Sequence, residues 1–230
     1  ALPICNRGRY DSRQNMIYIP SESSIPGTYT GPLALLPFSP NGIDEYRAQT
    51  FRGAMRGELL VQVWNTELIR MILSGDGRSV ENQQLFPVGF KALDVLMGPG
   101  GVVMGIDYSG DSIQVAIPDD AGATGLTIYD ITPWRAPTDG AVPFVIGGHN
   151  FGNMQNTTVM IGGMNAQLTS VSPTRIKGII PVRDTAPADL LSVAVTVGNN
   201  TAILPRAFRY LGNTVEDTGA RAFVEIDRSE

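Results

Sequence analysis

"GGVVMGIDYSGDSIQVAI", Gly100 to Ile117, reads as two short strands about a Ser-Gly-Asp turn, and a close counterpart precedes it in "GELLVQVWNTELIRMIL", Gly57 to Leu73. Aligning Gly57 with Gly101 sets the two copies at an offset of 44 residues. The runs "ELLVQVW" and "VVMGIDY" are mostly β-branched, aliphatic or aromatic, and each stops at a polar turn, Asn65-Thr66-Glu67 or Ser109-Gly110-Asp111. A second strand follows each turn, "LIRMIL" in one copy and "SIQVAI" in the other. Between the copies, Gly75-Asp76-Gly77 and Gly98-Pro99-Gly100-Gly101 supply turn chemistry, while Leu85, Phe86 and "ALDVLM" supply two further strands. One period therefore holds about four short strands, the size of a propeller blade.

The bulk composition agrees with an all-β chain. Of 230 residues, 26 are glycine and 16 proline, with 43% hydrophobic and 17% charged, which favours short strands and tight turns over helices and gives enough apolar surface for two cores. A net charge of −5 and the lack of any Lys/Arg cluster exclude an electrostatic nucleic-acid binder. No stretch approaches the length of a membrane-spanning helix, so no membrane insertion is expected. The first residue is Ala1 rather than methionine, which leaves room for a leader or an upstream segment.

The ordered motifs "SPNGIDEY" (Ser39–Tyr46), "FRGAMRGELLVQVW" (Phe51–Trp64), "RMILSGDGRSV" (Arg70–Val80), "PVGFKALDVLMGPGG" (Pro87–Gly101) and "IDYSGDSIQVAI" (Ile106–Ile117) resemble the closing blades of glucose/sorbosone dehydrogenase-like β-propellers. Gly100 stands where that family usually carries Asp in a Pro-Asp-Gly turn, and Gly105 interrupts a strand. The resemblance implies an incomplete propeller of two to three blades over residues 1–130. An arc of that length exposes strand edges and one face of each end sheet, so an upstream propeller segment or another protein chain is expected to complete the blades. It also implies an alternative, the C-terminal portion of a quinone-dependent sugar dehydrogenase. The base histidine of such enzymes has no counterpart here, because no histidine precedes His149.

From Ile131 to Leu211, "ITP", "FVIGGHNFG", "TTVMIGGMNAQLTSVSPTRIKGIIP" and "LSVAVTVGNN" followed by "AFRYL" resemble an immunoglobulin-like IPT/TIG domain. Strand-like runs about every ten residues, separated by Gly, Asn and Pro, fit a β-sandwich over 131–212. In "SVAVTV" the period of two places Val193, Val195 and Val197 on one side and Thr196 on the other. Residues 213–230 read as an acidic tail or the start of a further module.

Few residues carry chemistry. His149 is the sole histidine, in a segment that reads as a surface turn, and Cys5 the sole cysteine, so neither a nucleophilic triad nor a Cys/His zinc site can be assembled. Asp44/Glu45 and Asp119/Asp120 read as solvated turns, "SGDGRS" as a hairpin turn, and "GPGG" as a β-turn without the Lys-Ser/Thr of a phosphate loop. No catalytic, cofactor or metal residue is assigned and no cofactor is expected. Asn41, Asp94 and Asp107 are the polar residues expected to line a propeller groove. Asn156 and Asn199 head glycosylation sequons, and Cys5 is placed to form an intermolecular disulfide. The expectation is a secreted, non-catalytic structural or recognition protein with protein or glycan partners, Trp64, Tyr108 and Trp134 being the aromatics available to stack on sugars.

Overall fold

The computed structural model describes residues 33–211 apart from 37–38, 65–67, 76, 78, 90, 108–109 and 120–123, together with a two-stranded ribbon, β1 (Arg9–Asp11) and β2 (Met16–Tyr18). Cys5, Tyr108, Asp120 and the segment 213–230 lie outside the described residues. The fold is all-β.

The repeat becomes two antiparallel sheets. In the first, β3 (Pro40–Tyr46), β4 (Glu58–Val63), β5 (Leu68–Leu73) and β6 (Val80–Phe86) lie in sequence order, a complete four-stranded meander. The second contains β7 (Val95–Gly98), β8 (Val102–Asp107) and β9 (Ser112–Ala116), again in order. The hairpins read from sequence are thus β4–β5 and β8–β9, and β3 and β7 are their inner partners. The two sheets pack face to face as neighbouring blades do, with Leu60 and Leu68 of the first against Val95 and Val103 of the second, around the buried Tyr46. Asp44 reaches across the inner strands, its carboxylate accepting a 2.7 Å bond from the Met97 amide, and Glu45 pairs with Arg47. These two carboxylates therefore sit on a strand, not in the turn expected from sequence.

The opposite face of the first sheet is also covered. Leu59, Val61, Ile69 and Met71 form a second cluster beneath Leu33, Ala34 and Leu36, which is why β4 is buried at every position and shows no polar alternation. The β5–β6 connection closes through Ser74 N–H to the Ser79 carbonyl at 2.9 Å, the hairpin turn read in "SGDGRS".

The sandwich follows. One sheet holds β10 (Thr127–Thr132), β12 (Pro143–His149), β16 (Arg175–Ile179) and β15 (Gln167–Ser172); the other holds β11 (Arg135–Pro137), β18 (Asn200–Leu211), β17 (Leu191–Val197), β13 (Thr157–Ile161) and β14 (Met164–Asn165). Phe144, Ile146 and Ile176 from the first meet Val159, Ile161, Val193, Val195 and Phe208 from the second. Each such side chain contributes about 1.5–3 kcal/mol on burial. Val193 and Val195 are fully buried, Val197 packs at the margin, and Thr196 bonds Thr201 on the opposite face, as the period of two requires. The first sandwich strand begins at Thr127, ahead of the 131 boundary drawn from sequence.

Candidate functional site

The two parts meet at β10. A β-bulge between Ile128 and Asp130 makes Tyr129 an extra residue in the ladder with β12. Ile128 and Ile131 both enter the sandwich core, whereas Tyr129 is buried in the blade core and Asp130 faces the blades. The Tyr129 carbonyl accepts the Gln49 amide at 2.8 Å.

Asp130 is the centre of the junction. Its carboxylate accepts hydrogen bonds from the Gly100 amide at 2.7 and 2.9 Å, the Gly101 amide at 2.9 Å and the Gly147 amide at 3.3 Å. The "GPGG" turn between β7 and β8 is thus a cradle for an anion after all, one supplied by the same chain. Glycine is required on both sides of the contact. Gly101 has φ +74°, and a Cβ there would meet the Tyr46 hydroxyl at 2.6 Å. A Cβ on Gly147 would lie 2.5 Å from the Gly100 nitrogen. Burial pushes the Asp130 carboxyl above the usual carboxylate range, and the three amides and the Arg175 charge pull it partway back.

Two arginines reinforce the junction from the blade side. Arg56 donates to the carbonyls of Pro205 at 2.9 Å and Arg206 at 3.1 Å, and burial, with the neighbouring Arg47 charge, lowers its pKa from the ordinary arginine value. Arg47 stacks over the Trp134 ring at 3.9 Å from its centroid. Trp134 is therefore an interdomain platform already occupied by a guanidinium, while Trp64 is half exposed.

Above Asp130 opens a cleft of about 380 Å³, with Pro99, Val102 and Ile117 on the blade wall and His149, Thr174 and Arg175 on the sandwich wall. Asp119 stands at its rim. His149 is not in a turn: it ends β12 and its ring meets Tyr129 edge-on at 5.4 Å. A cleft with one imidazole, one guanidinium, one carboxylate and an apolar wall is suited to holding a polar group beside a hydrophobic one. Among the described residues no group of three or more His, Cys, Asp or Glu side chains is placed to hold a metal ion. No helix among them is long and apolar enough to cross a membrane.

The residues expected to line a propeller groove are distributed otherwise. Asn41 lines a cavity of about 240 Å³ with Leu33, Leu36 and Met71, and its neighbour Gly42 abuts Asp94. The Asp94 carboxylate accepts the Val95 amide at 2.8 Å. Asp107 lines a separate cavity of about 300 Å³ at the far end of β8 with Asp111, and accepts Gln114 Nε2 at 2.6 Å. Asn41, Asp94 and Asp107 thus do not line one common groove: Asn41 belongs to the cavity under Leu33 and Leu36, Asp94 meets Gly42, and Asp107 lines the cavity with Asp111. Asn156 and Asn199 are both exposed at one end of the sandwich, where the Gly198 amide donates to the Asn156 carbonyl at 2.9 Å.

Residues 126–210 match the IPT/TIG domain family, and this part of the chain is an IPT/TIG domain. No curated protein matches the sequence. Solved structures with similarity include a putative phosphatase from Bacteroides thetaiotaomicron, 22% identical over 37% of this chain and 18% of that one, with a TM-score of 0.31. An auxiliary nutrient binding protein from Bacteroides ovatus is 21% identical over 39% of this chain and 21% of that one, with a TM-score of 0.31. The full extracellular region of plexin A4 is 15% identical over 88% of this chain and 18% of that one, with a TM-score of 0.35. The chain spans about a fifth of the length of each of these proteins.

Proposed function

We propose that the chain is a non-catalytic recognition protein of the extracellular space, which offers a blade surface and an immunoglobulin-like sandwich side by side to a protein or glycan partner. The observation that carries this reading is the continuity of two features: the apolar outer face of the second blade runs through Val102 and Ile117 into the cleft walled by His149 and Arg175 of the IPT/TIG domain. Contiguous exposed apolar surface bordered by polar groups is characteristic of interaction sites. An upstream propeller segment or another protein chain completing the blades is the partner this arrangement fits, with Cys5 as a covalent tether to it. Glycosylation at Asn156 and Asn199 accompanies secretion. Expression through a eukaryotic secretory pathway tests this: a glycan mass that Asn156→Gln and Asn199→Gln each reduce supports it, and an unmodified secreted chain counts against it.

The second reading, the C-terminal portion of a glucose/sorbosone dehydrogenase-like enzyme using pyrroloquinoline quinone, is favoured by one observation. β7, the "GPGG" turn, β8, the Ser-Gly-Asp turn and β9 follow one another in the order of that family's recurring pattern. Dye reduction by the longer precursor on titration with quinone and sugar would establish the enzyme reading; its absence with the quinone bound would leave recognition.

A further inference from the structure

We infer that the free edge of β9 and the bare face beside it form a docking surface for an extended strand of a separate polypeptide, with aliphatic side chains at alternate positions and Lys or Arg at its ends. The internal repeat provides the template. Under the 44-residue offset, β9 occupies the place of β5, with Ile113 and Val115 in the positions of Ile69 and Met71. Ile69 and Met71 are 8% and 3% exposed, yet Ile113 and Val115 are 71% and 50% exposed. The difference has two sources. β5 is paired on its far side by β6, whereas among the described residues β9 ends its sheet; and Leu33, Ala34 and Leu36 lie over the first blade's outer face, whereas no described residue covers the second blade's.

The sequence of the second blade is written for two covered faces. The register Leu96↔Met104↔Val115 and Ile106↔Ile113 puts these residues on the outer face, opposite Val95 and Val103 in the blade core. A sheet meant to face water on one side alternates apolar with polar residues, and this one does not. The edge is equally unprotected. "SIQVA" holds no charge and no proline, and its ladder with β8 has no bulge, so the strand itself carries none of these three devices against strand addition. Acidic groups flank it, Asp107 and Asp111 at one end and Asp119 beyond the other. In an antiparallel pair of two β9 strands, Asp111 of one copy would fall toward Asp119 of the other, which disfavours a second copy and favours a strand with basic ends.

The surface rests on the recognition reading for its biological partner, but its test does not. Two eight-residue peptides of alternating Val and Thr, one flanked by Lys and one by Glu, are titrated into the full chain while backbone amide exchange is followed. The lysine peptide is expected to slow exchange at least tenfold at the alternate amides within Ile113–Ala116 that point away from β8, and to bind at least fivefold more tightly than the glutamate peptide. Ile113→Lys and Val115→Lys, both at exposed positions, are expected to weaken that binding about tenfold with unchanged circular dichroism. Equal binding of both peptides, no slowing by either, or protection in the chain alone, through its own residues 1–32 or a second copy, of the β9 amides that point away from β8 would overturn the inference. Sugar turnover by a longer precursor whose β9 still bound the lysine peptide would sink the recognition reading and leave this surface standing.

Discussion

Replacing Asp130 tests whether blades and sandwich are one unit. Asp130→Ala removes the acceptor from three backbone amides, of which Gly101 and Gly147 are buried and Gly100 borders the cleft. Hydrogen bonds to a charged group contribute roughly 1.5–3 kcal/mol each. The three do not add fully, because water entering the cleft can satisfy Gly100 and because the carboxylate's own burial cost disappears with it. A net loss of about 3 kcal/mol remains, or about 1–2 M in urea midpoint at a typical slope. The loss should fall on the blades and junction, with amide exchange at Gly100–Val102 accelerated and the sandwich strands β13 and β17 still protected. Asp130→Asn keeps one acceptor and turns an amide group toward the donors, at about half that cost. Its pH dependence decides which force dominates. Because burial raises the folded carboxyl pKa, the proton is held more tightly folded than unfolded. The proton-linked part of the stability Asp130 contributes is then fully present below the ordinary carboxylate pKa and is lost as pH rises through the raised folded value. The gap between the parent and Asp130→Asn should therefore shrink as pH rises across that window. A gap that widens instead would show that the amides outweigh burial and would refute the reasoning.

Three further perturbations address the junction, the Arg70–Glu58 pair and the Thr50–Gly53 turn. Gly147→Ala drives a Cβ against the backbone of Gly100, which cannot yield as a flexible side chain would, and should cost about 1–3 kcal/mol in thermal or urea unfolding; combined with Asp130→Ala the losses should be less than additive, since both open the same contact. Arg70→Met deprives Glu58, only 8% exposed, of a partner that reaches it through both Nε and Nη2, and should destabilise the blades by about 2 kcal/mol, between the values for surface and fully buried pairs. Arg52→Gly relieves a left-handed residue with φ 57° on an exposed turn and should raise the melting temperature by a few degrees, corresponding to about 1 kcal/mol.

The repeated hairpin was legible because strands and turns are local: the offset between Gly57 and Gly101 pairs β4 with β8 and β5 with β9 without any long-range information. The alternation of Val193 and Val195 likewise placed the sandwich core. What the local pattern could not carry was the junction. Asp130 lies 29 and 30 residues from the amides it binds, and a lone carboxylate in "TIYD" gives no sign of such partners. The placement of His149 failed for a related reason. "GGHNFG" has turn composition, but its glycines serve close approach, Gly147 to the Gly100 turn and Gly148 to the Thr127 carbonyl and Phe151, while the chain remains extended to His149. One signal was available: Ile128 and Ile131 are three apart, a spacing no regular strand can point to one core.

That spacing yields a last, sharper test. In a regular strand Ile128 and Asp130 would share one face and Tyr129 and Ile131 the other; the bulge rephases them, so the two isoleucines serve the sandwich while Tyr129 and Asp130 serve the blades. Deleting Tyr129 should convert the bulge into regular ladder, leaving Ile128 and Ile131 two apart and still on the sandwich face. The blade core would lose its buried tyrosine, a loss of about 3–5 kcal/mol on the scale of large aromatic truncations. The deletion should therefore weaken the part of the molecule that lies outside the altered strand's own domain. Hydrogen exchange reads both halves at once: protection is expected to fall across β3, β4, β7 and β8 and to persist in β12, β13 and β17. If the sandwich strands lost protection first, Tyr129 would be a register element of the immunoglobulin-like domain and not the peg that fastens it to the blades.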